Sequence, residues 1–236
     1  MPAMMQDDPI PLNRETLAKA IVPHVAFDGF GTASFTAACK DLALSEDQGR
    51  ALAPRGAIDL AVTLHKMGDN KMVADFRDAD VQELRYSQKV AHAVWLRLQA
   101  AGGRDVVRRA SGLFALPQNA VEGAGLIWGT ADAIWTALGD TSQDGNWYTK
   151  RATLSAVYGS VVLFWLGEDA DETAVRDFID RRIENVMSFE TLKAKSRTSK
   201  TTAPIARFLD KTLASMSAPS ASNRGRFPGY TKGSGS

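Results

Sequence analysis

The chain predicts an all-α bundle of about ten helices, on three observations. Apolar residues recur at three- and four-residue steps almost throughout its 236 residues. Runs of alternating β-branched residues, the mark of strands, are missing. Helix-start residues stand ahead of the apolar stripes, as at Asn13, Ser45 with Gln48, and Asn119.

Taken in order, the first helix follows Asn13 and carries Leu17, Ala20, Ile21 and Val25 on one face. Pro23 is expected to kink it, and Asp28-Gly29 ends it. A second, from about Ser34 to Leu42, buries Phe35, Ala38 and Leu42. Ser45 to Gln48 is a capping box for a short third helix, stopped by Pro54. The fourth, Gly56 to Met67, carries Ile58, Ala61, Val62 and His65, and is expected to stop at Gly68-Asp69. A long fifth runs from about Asp80 to Ala101 with Val81, Leu84, Val90, Val94 and Leu98 inward. Gly102-Gly103 closes it. Asp105 to Ala115 follows, closed before Pro117. Asn119 starts a helix through Leu138 that holds Trp128 and Trp135. The next starts in "DGNWYTKR" and ends near Leu166-Gly167. Asp171 opens a further one through Val175, Phe178, Ile179, Ile183, Val186 and Met187. A basic stretch, "KAKSRTSK" (193 to 200), has no apolar anchor, and a Pro/Gly/Ser-rich tail begins at Ser217. These breaks divide the chain into a terminal arm (1–12), a helix-turn-helix-like region (13–78), a larger helical domain (79–192), a basic linker (193–202), a short helix (203–216) and a tail (217–236). This layout resembles TetR-type regulators, in which a helix-turn-helix precedes a ligand-binding, dimerising domain.

Charge weighs against DNA reading. Residues 1 to 60 hold 5 Lys+Arg and 8 Asp+Glu, whereas phosphate neutralisation supplies most of the affinity for DNA. The would-be recognition helix opens with Glu46 and Asp47. The helix-turn-helix is therefore expected to be degenerate and to bind no nucleic acid. Catalysis finds no support either. His24, His65 and His92 each stand alone, while a metal site needs three or four converging ligands. No nucleophile elbow, phosphate loop or CxxC is present, so no cofactor is expected. Cys39 is the only cysteine, which fits a reducing compartment. The acidic N-terminus lacks an apolar core for a signal peptide.

Two features point to partners. Trp147, Tyr148, Lys150 and Arg151 crowd one helix start, where the aromatics are expected to be part exposed. Packing over the bundle end is one reading of Trp147. An interaction surface is the other, because Trp, Tyr and Arg dominate interface hot spots. Below them Leu154, Val157, Val161 and Trp165 continue a core stripe. Tyr158 and Phe164 flank it, and with Trp128 and Trp135 are expected to line an apolar cavity between the two helices. The second feature is charge asymmetry. Residues 1 to 190 carry net −7 and residues 191 to 236 net +8. On a helical wheel from Pro204 to Met216, Ile205, Phe208, Leu209, Leu213 and Met216 share an arc of about 140°. Together with Lys193, Lys195, Arg197 and Lys200, each contributing about 1 kcal/mol at an anionic surface, this stripe is expected to dock on a membrane. Packing back onto the body, or onto a dimer partner, is the competing fate of the same stripe.

The stretch "TADAIWTALGDTSQDGNWYTKRATLSAVYGS" (130–160) closely resembles the signature of a lipid-binding accessory family of ubiquinone biosynthesis, coenzyme Q biosynthesis protein nine. "HVAFDGF" (24–30), "ALPQNA" (115–120) and "FIDRRIENVMSFETLKAK" (178–195) add to the likeness, which covers most of residues 13 to 195. The resemblance implies a TetR-like fold that no longer binds DNA and binds an isoprenoid lipid or quinone precursor. It further implies assistance to the di-iron demethoxyubiquinone hydroxylase and a C-terminal amphipathic membrane helix. It implies a hydroxylase-contacting patch of Asp132, Ile134, Asp144, Trp147 and Tyr148, with Arg151 close by. Gly145 departs from the pattern, since relatives often carry an aromatic there. Without a mitochondrial leader the chain is expected to be a homodimer of the bacterial cytoplasm, peripheral on the membrane's inner face. Two rival readings are a ligand-responsive transcription regulator and a ligand-free interaction scaffold.

Overall fold

The computed structural model describes residues 12–142, 145–168 and 170–197, and side-chain environments as far as Val186. Among these residues the chain forms nine helices and no strand. They are α1 (Arg14–Asp28), α2 (Thr32–Asp41), α3 (Glu46–Leu52), α4 (Ala57–Asp78), α5 (Tyr86–Gln99), α6 (Arg104–Ala115), α7 (Ala120–Ala137), α8 (Gly145–Trp165) and α9 (Glu172–Arg197). The tenth predicted helix, with Ile205, Phe208, Leu209, Leu213 and Met216, lies outside the described residues.

The local start signals work as the sequence suggests. The Asn13 side chain accepts from the Thr16 amide at 2.9 Å. Ser45 and Gln48 cap each other's backbone amides at 3.2 and 2.8 Å. The helices then close around two cores. α1 to α4 bury Leu17, Ile21, Val25, Phe35, Ala38, Cys39 and Leu60. α4, α5 and α7 to α9 bury Met72, Val94, Leu98, Ile134, Val161, Val175 and Ile179. α3 lies tightly on α2, because a Cβ on Gly49 would stand only 2.3 Å from Cys39 Sγ.

Three boundaries differ from the sequence expectation. α4 continues through Gly68-Asp69 to Asp78 instead of ending there. Gly68 is a notch for a neighbour: a Cβ there would lie 2.8 Å from Arg97 Nη1 and 2.9 Å from the Ala100 carbonyl of the α5 end. Asp69 is not a stop residue; it receives the Arg97 Nε–H at 2.6 Å. α5 begins at Tyr86, six residues later than Asp80, with the Gln88 side chain accepting from the Arg85 amide. Val81 and Leu84 precede it in a turn, which spends their apolar side chains without extending the helix. α9 runs to Arg197, into the stretch read as linker. Lys and Ala are strong helix formers and need no apolar anchor to prolong a helix already started.

Candidate functional site

The family-like stretch builds an ionic hub where α7 meets α8. α7 supplies Asp132, the connecting turn supplies Asp140 and Ser142, and α8 supplies Trp147, Lys150 and Arg151. Arg151 is 1% exposed. Its Nε donates to Asp132 Oδ1 at 2.6 Å, and its Nη1 donates to Asp140 Oδ2 at 2.9 Å. Its guanidinium lies over the Trp147 ring, 4.2 Å from the centroid. Lys150 Nζ reaches Asp140 Oδ1 at 2.7 Å and Ser142 Oγ at 2.8 Å. Burial opposes ionisation of Asp140, but the hydrogen bonds from Lys150, Arg151 and Ser142 win and hold its carboxyl at about 2. Around this hub the aromatics stack. Trp147 meets Tyr148 edge-on at 4.8 Å and Trp128 at 6.0 Å. Trp135 stacks on Tyr86 and donates its indole N–H to the Lys150 carbonyl.

The expected exposure of the "NWY" helix start is corrected. Trp147 is 3% exposed and Ile134 is fully buried, as is the Arg151 head group between its two carboxylates. The cause is the pair of carboxylates, which draws the cation inward and brings Trp147, one helical turn earlier on the same face, with it. Asp132 and Tyr148 keep partial exposure, and Asp144 lies outside the described residues. Asp140 was missed. In the sequence it is one of several polar turn residues; its signal is only that the tandem cations Lys150-Arg151 require an anion nearby.

An apolar cavity of about 290 Å³ is lined by α7 and α8, the two helices expected, and also by α4, α5 and α6, with Phe30 among its lining. Val106, Phe114, Leu126, Ile127 and Val162 give it apolar walls. Of the four predicted lining residues only Tyr158 faces it. Trp128 and Trp135 are spent on the hub, and Phe164 stacks flat on Phe178 of α9 at 4.2 Å.

One end of the cavity is polar. His65 Nε2 lies 2.9 Å from Thr130 Oγ1 and 3.2 Å from the Leu126 carbonyl. Thr130 in turn donates to Asp69 Oδ1 at 2.8 Å, and Arg97 binds Asp69 and the His65 carbonyl. Since the Thr130 proton goes to Asp69, His65 Nε2 faces acceptors and must carry the imidazole proton. Burial, with a smaller contribution from Arg97 and Lys66, pushes His65 from 6.5 down to about 4 against the pull of Asp69. The unfolded chain therefore binds this proton more tightly. Stability is fully present above pH 6.5 and is lost as pH falls from 6.5 toward 4. Urea titrations at pH 7 and pH 5 are expected to differ by about 2 kcal/mol, and His65→Gln, which retains an N–H donor, to remove most of that difference.

Among the described residues no helix is long and apolar enough to cross a membrane, and no three His, Cys, Asp or Glu side chains converge as metal ligands. Similarities to known proteins complete the description. A TetR transcriptional regulator from Nitrosomonas europaea superposes with a TM-score of 0.60 at 18% identity, over 72% of this chain and 95% of the other. The probable ubiquinone biosynthesis protein coq9 of Dictyostelium discoideum is 28% identical over 178 residues, 71% of this chain and 57% of that protein. The Schizosaccharomyces pombe coq9 protein is 31% identical over 111 residues, 45% and 44% of the two chains. The human COQ9 protein is 32% identical over 81 residues, 34% and 26% of the two. The chain thus spans about half the length of the first two of these relatives. The COQ9 family model matches residues 120–190, the span that holds the entire α7–α8 hub. On a TetR-like all-α fold, this chain carries a COQ9 domain.

Proposed function

We propose that the chain is a lipid-binding accessory protein of ubiquinone biosynthesis. It takes up an isoprenoid quinone precursor and presents it to the demethoxyubiquinone hydroxylase, without catalysing a step itself. The observation that carries this reading is an apolar cavity in a chain whose relatives are named ubiquinone biosynthesis proteins. At about 290 Å³ the cavity is at the lower end of the roughly 300–1,000 Å³ usual for small-molecule sites. It suits a ring and the first part of a polyprenyl chain, with the remaining tail outside. On this reading Asp132 and Tyr148 offer contact surface to the hydroxylase, and the buried Ile134, Trp147 and Arg151 hold that surface rigid from behind. The segment 204–216 supplies the membrane contact, on the strength of its sequence alone. The acidic N-terminal region supports this reading over a DNA-binding one. Organic extraction of the purified chain, followed by mass spectrometry, is the test. A copurifying polyprenyl quinone or precursor is expected. Absence of any isoprenoid, together with no uptake from quinone-loaded vesicles, would reject the proposal.

A further inference from the structure

The polar end of the cavity has a chemistry that its fold does not require. The Tyr158 side chain is 3% exposed, and that little exposure faces the cavity. Among the described residues its hydroxyl enters no hydrogen bond. Beside it the Arg97 guanidinium, 5.8 Å from the Tyr158 ring centroid, is also part of the lining. Arg97 gives Nε–H to Asp69 and one Nη2–H to the His65 carbonyl, which uses two of its five donors. A tyrosine hydroxyl that opens onto a cavity and has no protein partner there is available to an ordered water or a ligand.

Resting on the lipid-binding reading above, we infer that Tyr158 and Arg97 form a headgroup site for a neutral amphiphile, one whose apolar body carries hydrogen-bond-accepting oxygens at one end. The preference for a neutral ligand comes from the charge count. Arg97 is neutralised by Asp69 2.6 Å away, and burial keeps His65 in its uncharged form. The polar end therefore offers donors but no net positive charge. A carboxylate or phosphate entering it would be a buried anion without a free counter-charge, which is strongly unfavourable. A ring carbonyl or ether oxygen takes the same donors without that cost. The apolar walls, Val106, Phe114, Leu126, Ile127 and Val162, receive the remainder.

The test uses the full chain, isothermal titration calorimetry and three probes with one tail: a decyl-substituted dimethoxybenzoquinone, decylbenzene and decanoate. The quinone is expected to bind tightest and decanoate at least tenfold more weakly. Tyr158→Phe removes only the hydroxyl. It is expected to lower quinone affinity about fivefold while leaving decylbenzene affinity and the thermal midpoint unchanged. Equal quinone affinity in the two proteins, or decanoate as the tightest probe, would overturn the headgroup site and leave the apolar cavity reading standing. Failure of all three probes to bind would overturn both.

Discussion

Asp140→Ala is expected to lower folding stability by ~3–5 kcal/mol. The Asp140 side chain is 3% exposed and accepts from Arg151, Lys150 and Ser142. Without it, Arg151 stays buried with only Asp132 as counter-charge, and Lys150 loses its carboxylate. The effect is asymmetric. Removing Asp140 leaves the buried guanidinium with one carboxylate instead of two, a loss that costs more than the intact network is worth. Asp132→Ala is expected to cost less, because Asp132 is 20% exposed and Arg151 keeps Asp140. Urea unfolding gives the comparison, provided the slope is unchanged so that the midpoint reports stability alone. A wild-type midpoint for Asp140→Ala would mean that the hub contributes nothing to folding.

Trp147→Ala is expected to have a similar cost, ~3–5 kcal/mol, as a large-to-small change in a packed interior. The ring is buried against Trp128, Tyr148 and Arg151, all of which lose contact together. A truncation at this position is therefore a stability mutation, and weakened partner binding by that variant would say little about docking. Trp147→Phe separates the two effects. Among the described residues the Trp147 Nε1 has no hydrogen-bond partner, so phenylalanine sacrifices none of their hydrogen bonds and fills most of the space. Calorimetric unfolding of both variants checks this. A partner-facing role would appear as lost hydroxylase affinity in Trp147→Phe at an unchanged melting temperature. An alanine variant as stable as wild type would show that Trp147 is not part of the core.

What could be read from the sequence was what depends on near neighbours. Asn13 and the Ser45–Gln48 pair announce helix starts because their partners are within three residues. The inward stripes of α1 and α8 were legible for the same reason, since periodicity is local. The hub was not. Arg151 finds its carboxylates 11 and 19 residues away, across a turn, and nothing in "TKRA" tells a buried arginine from an exposed one. Gly68 misled for a related reason. Its role is set by Arg97 and Ala100 on another helix, whereas the sequence offers only a glycine next to an aspartate. The cavity shows a third limit. Periodicity told that Tyr158 lies beside the buried stripe, but whether a gap is filled depends on the sizes of side chains from several helices. Phe164 found Phe178, and Trp128 found Trp147. The space opened instead where small residues, Ala61, Ala101 and Ala110, converge.

That convergence allows a direct test of whether this cavity is the lipid site. Ala110→Trp on the half-buried α6 would place an indole into the 290 Å³ cavity. The measurement is the molar ratio of isoprenoid lipid to protein after organic extraction, wild type against Ala110→Trp, purified identically. A ratio near one is expected for the wild type and at least a tenfold drop in the variant, at an unchanged unfolding midpoint. An equal lipid load in a folded Ala110→Trp protein would contradict it, and would place the lipid on some other surface of the chain.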